Sequence, residues 1–207
     1  MKISLNWIKQ YLPALNDISF DELYSKMIKS GMDIESVEFE SDKYKNIIVA
    51  EVMDKIKHPD ADKLSLCKVN TGSEILNVVC GAANVETRQK VAFAKIGAII
   101  PNGNFEIKKS KIRGVVSEGM ICAEDELGLS SDHSGIMVLK EDAEVGMNFA
   151  DYIGHNDIIF EIGVTPNRGD MLSHFGMGRE FAAILNSKIK IPKLVINPSD
   201  ENTSNYI

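Results

Sequence analysis

The chain has 207 residues, 44% of them hydrophobic and 26% charged, with 23 Lys+Arg against 30 Asp+Glu for a formal net charge of −7. Such a composition is ordinary for a globular protein with room for one or two domains, and no apolar run approaches the ~20 residues of a membrane-spanning helix. The acidic balance excludes a broadly basic nucleic-acid-binding surface and leaves that function only a local patch.

Met1 to Trp7 enters an amphipathic pattern directly, with no apolar signal-peptide core. Leu5, Ile8 and Leu12 recur at helical spacing behind Ser4, a candidate N-cap, and Pro13 ends or bends that helix. Ser19 and Glu22 form a capping box for a second helix through Leu23, Met27 and Ile28, closed by Gly31. Ile34, Val37 and Phe39 read as a strand, and Glu40 to Lys43 as a linker. Short β-rich runs follow at 47–57, 64–70, 75–80, 90–96 and 105–113, separated by glycine-, asparagine- and proline-marked turns. Met120 to Leu129 is expected to hold a helical turn, and Ile136 to Leu139 a short strand. Beyond them, Ile158 to Ile162 reads as a strand, Thr165 to Asp170 as a turn, and Leu172 to Leu185 as a helix that Asn186 can end. Lys188 to Lys193 alternates like an edge strand, and the tail Asn197 to Asn205 is rich in Ser, Asn and Asp and is expected to be mobile.

Five short strands with a glycine-rich connection match the strand count of an OB-fold barrel. The pattern predicts an α+β architecture: a five-stranded OB barrel over 40–150, inserted into a small discontinuous α/β domain made of 1–39 plus 151–207. Neither flank is large enough to bury a full core alone, so the two are expected to pack on each other.

Within 40–150 there are 14 Lys+Arg against 17 Asp+Glu, a net of −3. The basic cluster in this segment is Lys108, Lys109, Lys111 and Arg113. If 105–113 is one extended strand, Lys109, Lys111 and Arg113 project from the same face. Such a row suits phosphate contacts, and it equally suits a solvated edge strand whose lysines block aggregation. Cys67, Cys80 and Cys122 are odd in number and never spaced Cys-x-x-Cys, which argues for buried thiols in a reducing cytosol. His58-Pro59-Asp60-Ala61-Asp62 has poor spacing for a metal and reads as a turn, with Lys63 after it. Ser117-Glu118-Gly119-Met120 lacks a nucleophile elbow or a placed histidine; a structural turn and an RNA-proximal surface both stay open. Arg168 can pair with Asp170 and pin the loop before the helix, or reach a phosphate or partner, with Arg179 and Glu180 as structural partners on that helix. No phosphate-binding loop and no dinucleotide fingerprint appear.

Several stretches carry a family resemblance. In the barrel they are His58 to Leu64, Val79-Cys80-Gly81-Ala82-Ala83-Asn84, Gly97 to Gly103, Ile112 to Cys122 and Glu126-Leu127-Gly128-Leu129. In the flanks they are Ser4-Leu5-Asn6-Trp7, Gly31 to Glu35, Thr165 to Asp170 and Gly178-Arg179-Glu180. Together they resemble the N-terminal region of the bacterial phenylalanyl-tRNA synthetase β subunit, across nearly the whole chain and in the family's order. The resemblance implies a non-catalytic tRNA-binding portion of a phenylalanine-tRNA ligase, with an α subunit as partner in an α₂β₂ assembly in the cytoplasm. ATP and magnesium belong to the whole enzyme and none to this stretch, where no catalytic residue is expected. The family's β subunit continues into further domains, so the chain is expected to be an N-terminal fragment. The tRNA-binding candidates are Lys109, Lys111, Arg113, Lys108, Lys63, Lys68, Asn70, Asn84 and Ser117. The alternative is a structural module that braces the synthetase with little direct tRNA contact.

Overall fold

A computed structural model describes residues 1–191 together with Lys193, Val195 and Ser204. In chain order the elements are β1 (Lys2–Ser4), α1 (Leu5–Tyr11), α2 (Phe20–Lys29), β2 (Asp33–Phe39), β3 (Ile47–Lys57), β4 (Ser65–Asn70), β5 (Ile75–Cys80), β6 (Lys90–Lys95), β7 (Ser110–Ile112), β8 (Val115–Ser117), β9 (Gly119–Ile121), α3 (Phe149–Tyr152), β10 (Ile158–Gly163) and α4 (His174–Ile184). The chain divides into two compact units. One holds Met1–Val37 and the described residues from Ile159 onward, and the other is Glu38–Ile158.

In the first unit, β1, β10 and β2 form a three-stranded sheet in that order. Ser4 caps α1 by accepting the Trp7 N–H at 2.9 Å, and Ser19 caps α2 by accepting that of Glu22 at 3.3 Å. Ile3, Ile8, Leu12, Leu23, Met27, Phe160, Met177 and Phe181 are buried between sheet and helices. Each such side chain contributes roughly 1.5–3 kcal/mol relative to exposure. The Lys188 to Lys193 edge strand lies partly outside the described residues. Among its described residues there is no ladder, and the Lys190 N–H donates instead to the Tyr11 carbonyl at the end of α1, at 2.7 Å. Of the 197–205 tail only Ser204 lies within the described residues.

In the second unit a five-stranded antiparallel sheet runs β5-β4-β3-β6-β9 and curls into a nearly closed OB barrel. The 11-residue β3 serves two neighbours: Ile47 to Glu51 pairs with β6, and Glu51 to Lys57 pairs with β4. The β3–β4 register shifts between Val52 and Asp54, a bulge that bends the strand where it changes partner. Residues 47–50 of β3 and 91–94 of β6 are buried on both faces. Ile48, Ala50, Val91 and Phe93 fill the barrel interior, while Ile47, Val49, Ala92 and Ala94 meet Ile100, Leu127, Leu139 and Phe149 outside it.

Two expectations fail here. The fifth barrel strand is β9, not 105–113, which breaks into an isolated bridge at Glu106 and the separate two-stranded sheet β7-β8. Glu40 to Lys43 is no linker: 40–44 is a 3-10 turn that buries Tyr44 against Phe149, ring centroids 5.5 Å apart. The barrel unit runs past 150 to Ile158, because α3 inserts Phe149 and Ala150 into its core, with Tyr152 and Ile153 packed behind.

Candidate nucleic-acid interface

The β7–β8 hairpin carries most of the basic cluster. Lys111 faces Val116 and Ile112 faces Val115, joined by a two-residue turn in which Arg113 has φ 46° and Gly114 φ 90°. Positive φ at both central residues is the type I′ pattern, whose twist matches that of the flanking strands. The expected common face for Lys109, Lys111 and Arg113 is therefore broken, since β7 ends at Ile112 and Arg113 occupies the turn.

The four cations differ in their surroundings. Lys109 Nζ lies 2.8 Å from Glu118 Oε1, and Lys108 Nζ lies 3.3 Å from Glu106 Oε2. The hydrogen bond from Lys109, with a backbone hydrogen bond at Asn77 second, holds the Glu118 carboxyl below its usual range. Lys111 and Arg113 are exposed and have no ion pair among the described residues.

The second basic position is on the open face of the sheet. Lys68 in β4 stands in register between Asp54 of β3 and Asn77 of β5, and Leu66 between Ile56 and Val79. Ile56, Leu66, Lys68, Asn77, Val115 and Val116 line a cavity of about 220 Å³ on this face. Asn77 is absent from the sequence-derived candidates. Which face it occupies depends on the β4–β5 register, and only the polar residue among outward-facing Ile75 and Val79 hints at it.

The remaining candidates differ in what their side chains do. Lys63 is exposed after the His58 turn, where His58 is buried and its Nδ1 accepts the Asp60 N–H at 3.0 Å. Asn70 Oδ1 accepts the Gly72 N–H at 2.9 Å. The amide of Asn84 is engaged on the Ile136 backbone, donating to its carbonyl at 3.0 Å and accepting its N–H at 2.9 Å. Ser117 is buried, accepts the Val79 N–H at 3.1 Å and donates to the Gly119 carbonyl at 3.1 Å. Ser117 is thus committed to the β5 and β9 backbone, while Asn84, bound to Ile136, is exposed and keeps one amide N–H. The close approach that Gly119 permits is to protein: a Cβ there would collide with the Phe93 ring and the Ala94 carbonyl.

Nothing in the barrel assembles a nucleophile. Burial pushes the Cys67 thiol up to about 11, and raises Cys80 and Cys122 as well. No group of three His, Cys, Asp or Glu side chains comes together for a metal among the described residues. In the other unit Arg168 is a clamp. It donates to both Asp170 oxygens at 3.1 Å and to Glu180 Oε2 at 2.7 Å, fastening the Thr165–Asp170 loop to α4. These bonds raise Arg168 further above its ordinary value and hold the Asp170 carboxyl below its own.

A protein-family model described as "Putative tRNA binding domain" matches residues 47–148. Along the whole chain there is similarity to phenylalanine–tRNA ligase beta subunits. That of Fusobacterium nucleatum subsp. nucleatum is 43% identical over 100% of this chain and 26% of its own length. That of Geobacter sulfurreducens is 47% identical over 97% and 25%, and that of Bacillus cereus 40% over 100% and 26%. The chain spans about a quarter of the length of these relatives.

Proposed function

We propose that the chain, whose barrel segment 47–148 matches the tRNA-binding-domain family model, is the non-catalytic, tRNA-contacting portion of a phenylalanine–tRNA ligase β subunit. The observation that carries the reading is the similarity of the entire chain, barrel and flanks together, to those β subunits. In this reading the barrel helps hold tRNA while the rest of an α₂β₂ enzyme, in the cytoplasm, joins phenylalanine to it. The ATP and magnesium of that reaction are handled outside this chain.

The contacts run through cations free to meet phosphate. Lys111 and Arg113 come first, at the hairpin tip, where a guanidinium fork suits phosphate oxygens. Lys68 and Lys63 follow. Lys108 and Lys109 can join by leaving Glu106 and Glu118, because exposed pairs are weak enough to exchange. Asn70 contributes its amide N–H₂ while its oxygen stays on Gly72.

The net charge of −7 and the two lysines already paired favour a second reading, a bracing module with little direct tRNA contact. Titration of the 207-residue chain with tRNA at several salt concentrations separates the two. Binding that weakens steeply with salt, and a slope that falls by roughly 0.7–0.9 for each phosphate contact removed in Lys111→Ala and Arg113→Ala, supports tRNA contact. Absence of binding at low salt supports the brace.

A further inference from the structure

We propose that the cavity over β4 and β5 receives one unstacked nucleobase from single-stranded RNA, with Asn77 reading its edge. The inference rests on the tRNA-binding reading and adds a base-selective contact to it. Phosphate contacts alone position RNA without discriminating bases, so selectivity requires a site of this kind.

The cavity's shape and chemistry fit a base. Its walls are aliphatic, from Ile56, Leu66, Val115 and Val116. Ile56 is 56% exposed and Val116 40%, so apolar surface stands open to solvent here without covering a core. Across the rim, Asp54, Lys68 and Asn77 form one row on three adjacent strands, in register and spanning about two strand spacings of ~4.8 Å each. The backbone of Asn77 is fixed, its carbonyl accepting the Glu118 N–H at 2.9 Å. Its side-chain amide makes no hydrogen bond among the described residues.

That amide sets a donor and an acceptor side by side, the pairing that adenine answers with N7 and its exocyclic amine. The Asp54 carboxylate only accepts, so together the two side chains favour an exocyclic amine, which offers two N–H donors, over uracil, whose edge offers one. Lys68 stands between them for the adjoining phosphate, and burial of the base against aliphatic walls excludes water from these hydrogen bonds. Adenine is therefore the preferred occupant.

Fluorescence anisotropy of labelled oligoadenylate, oligouridylate and a tRNA transcript with the 207-residue chain, at low ionic strength, tests this. We expect oligoadenylate to bind about tenfold more tightly than oligouridylate. Asn77→Ala should remove that preference without changing the salt slope, whereas Lys68→Ala should weaken both oligonucleotides alike and lower the slope. Asn77→Leu, of similar volume, must behave as Asn77→Ala does, which guards against a folding defect in either variant. If tRNA binds but the two oligonucleotides bind equally, or if the preference survives both Asn77 variants, the base site is overturned while the tRNA reading stands. If the wild-type chain binds none of the three RNAs, both are overturned.

Discussion

Within one barrel, β3 and β6 run as unbroken apolar segments, Ile47-Ile48-Val49-Ala50 and Val91-Ala92-Phe93-Ala94, whereas β4 and β5 alternate, with Cys67, Val69, Val78 and Cys80 inward and Leu66, Lys68, Asn70, Ile75 and Asn77 outward. The difference follows from what covers each half. Segments 97–107, 122–127 and 139–153 lie over residues 47–50 of β3 and 91–94 of β6, so both faces there are core and cannot meet a ligand. No such layer covers β4 and β5 among the described residues; only the β7–β8 hairpin stands beside them, and their outer face leaves Lys68 and Asn77 exposed. One half is therefore specified by volume, the other by chemistry.

The largest effect should come from the covered half. Phe93 is fully buried in the barrel interior, and its ring is the surface that Gly119 approaches. Phe93→Ala should destabilise the protein by about 3–5 kcal/mol, read as a lower urea midpoint. Ile47→Val, on the opposite buried face of β3, should cost about 0.5–1.5 kcal/mol. On the open half, Lys68→Ala should stay within about ±0.5 kcal/mol while weakening tRNA binding. A destabilisation by Lys68→Ala comparable to that of Phe93→Ala would erase the distinction between the halves.

An intermediate effect lies in the hairpin turn, where stability and binding pull apart. Arg113 holds φ 46°, a left-handed conformation that costs an ordinary residue roughly 1–2 kcal/mol but that asparagine tolerates. Arg113→Asn should therefore stabilise the chain by up to about 1 kcal/mol, since Asn-Gly is a favoured type I′ pair. It should also weaken tRNA binding through the lost cation. Loss of stability in thermal unfolding, or unchanged tRNA affinity, would show that Arg113 serves the turn rather than the ligand.

Sequence patterning reveals the covered half more readily than the open one, for a physical reason. Apolar runs such as 47–50 and 91–94, and caps such as Ser4 and Ser19, announce themselves locally. The fifth strand does not. Gly119 to Ile121 is only three residues long, while 105–113 carries Ile107 and Ile112 among lysines and imitates an alternating strand. The turn that breaks that imitation is Arg113-Gly114, which lacks the asparagine or aspartate that usually marks a type I′ hairpin. Asn77 is invisible for a different reason, because a one-residue change of register would turn it inward. Asn84 and Ser117 read as free polar groups in the sequence because their partners, Ile136 and Val79, lie 52 and 38 residues away in the chain.

The smallest expected effect sharpens the contrast from the other unit, where a cation serves scaffold instead of ligand. Arg168 is committed to Asp170 and Glu180, unlike Lys111 and Arg113. The Asp170 carboxyl, held below its ordinary range first by the Arg168 hydrogen bond, gains more from ionisation when folded than when unfolded. Its contribution to stability is thus fully present above the unfolded value of about 3.9 and is lost as the pH falls through the lower folded value. Urea midpoints measured from about pH 6 downward should show a decline below about pH 4 that is shallower in Asp170→Asn. The group is exposed, so the difference should be small and should shrink with added salt. tRNA affinity should be the same in Asp170→Asn and wild type at neutral pH. A loss of tRNA binding in that variant would mean that the Arg168 clamp presents its guanidinium to RNA, and would move part of the interface off the barrel.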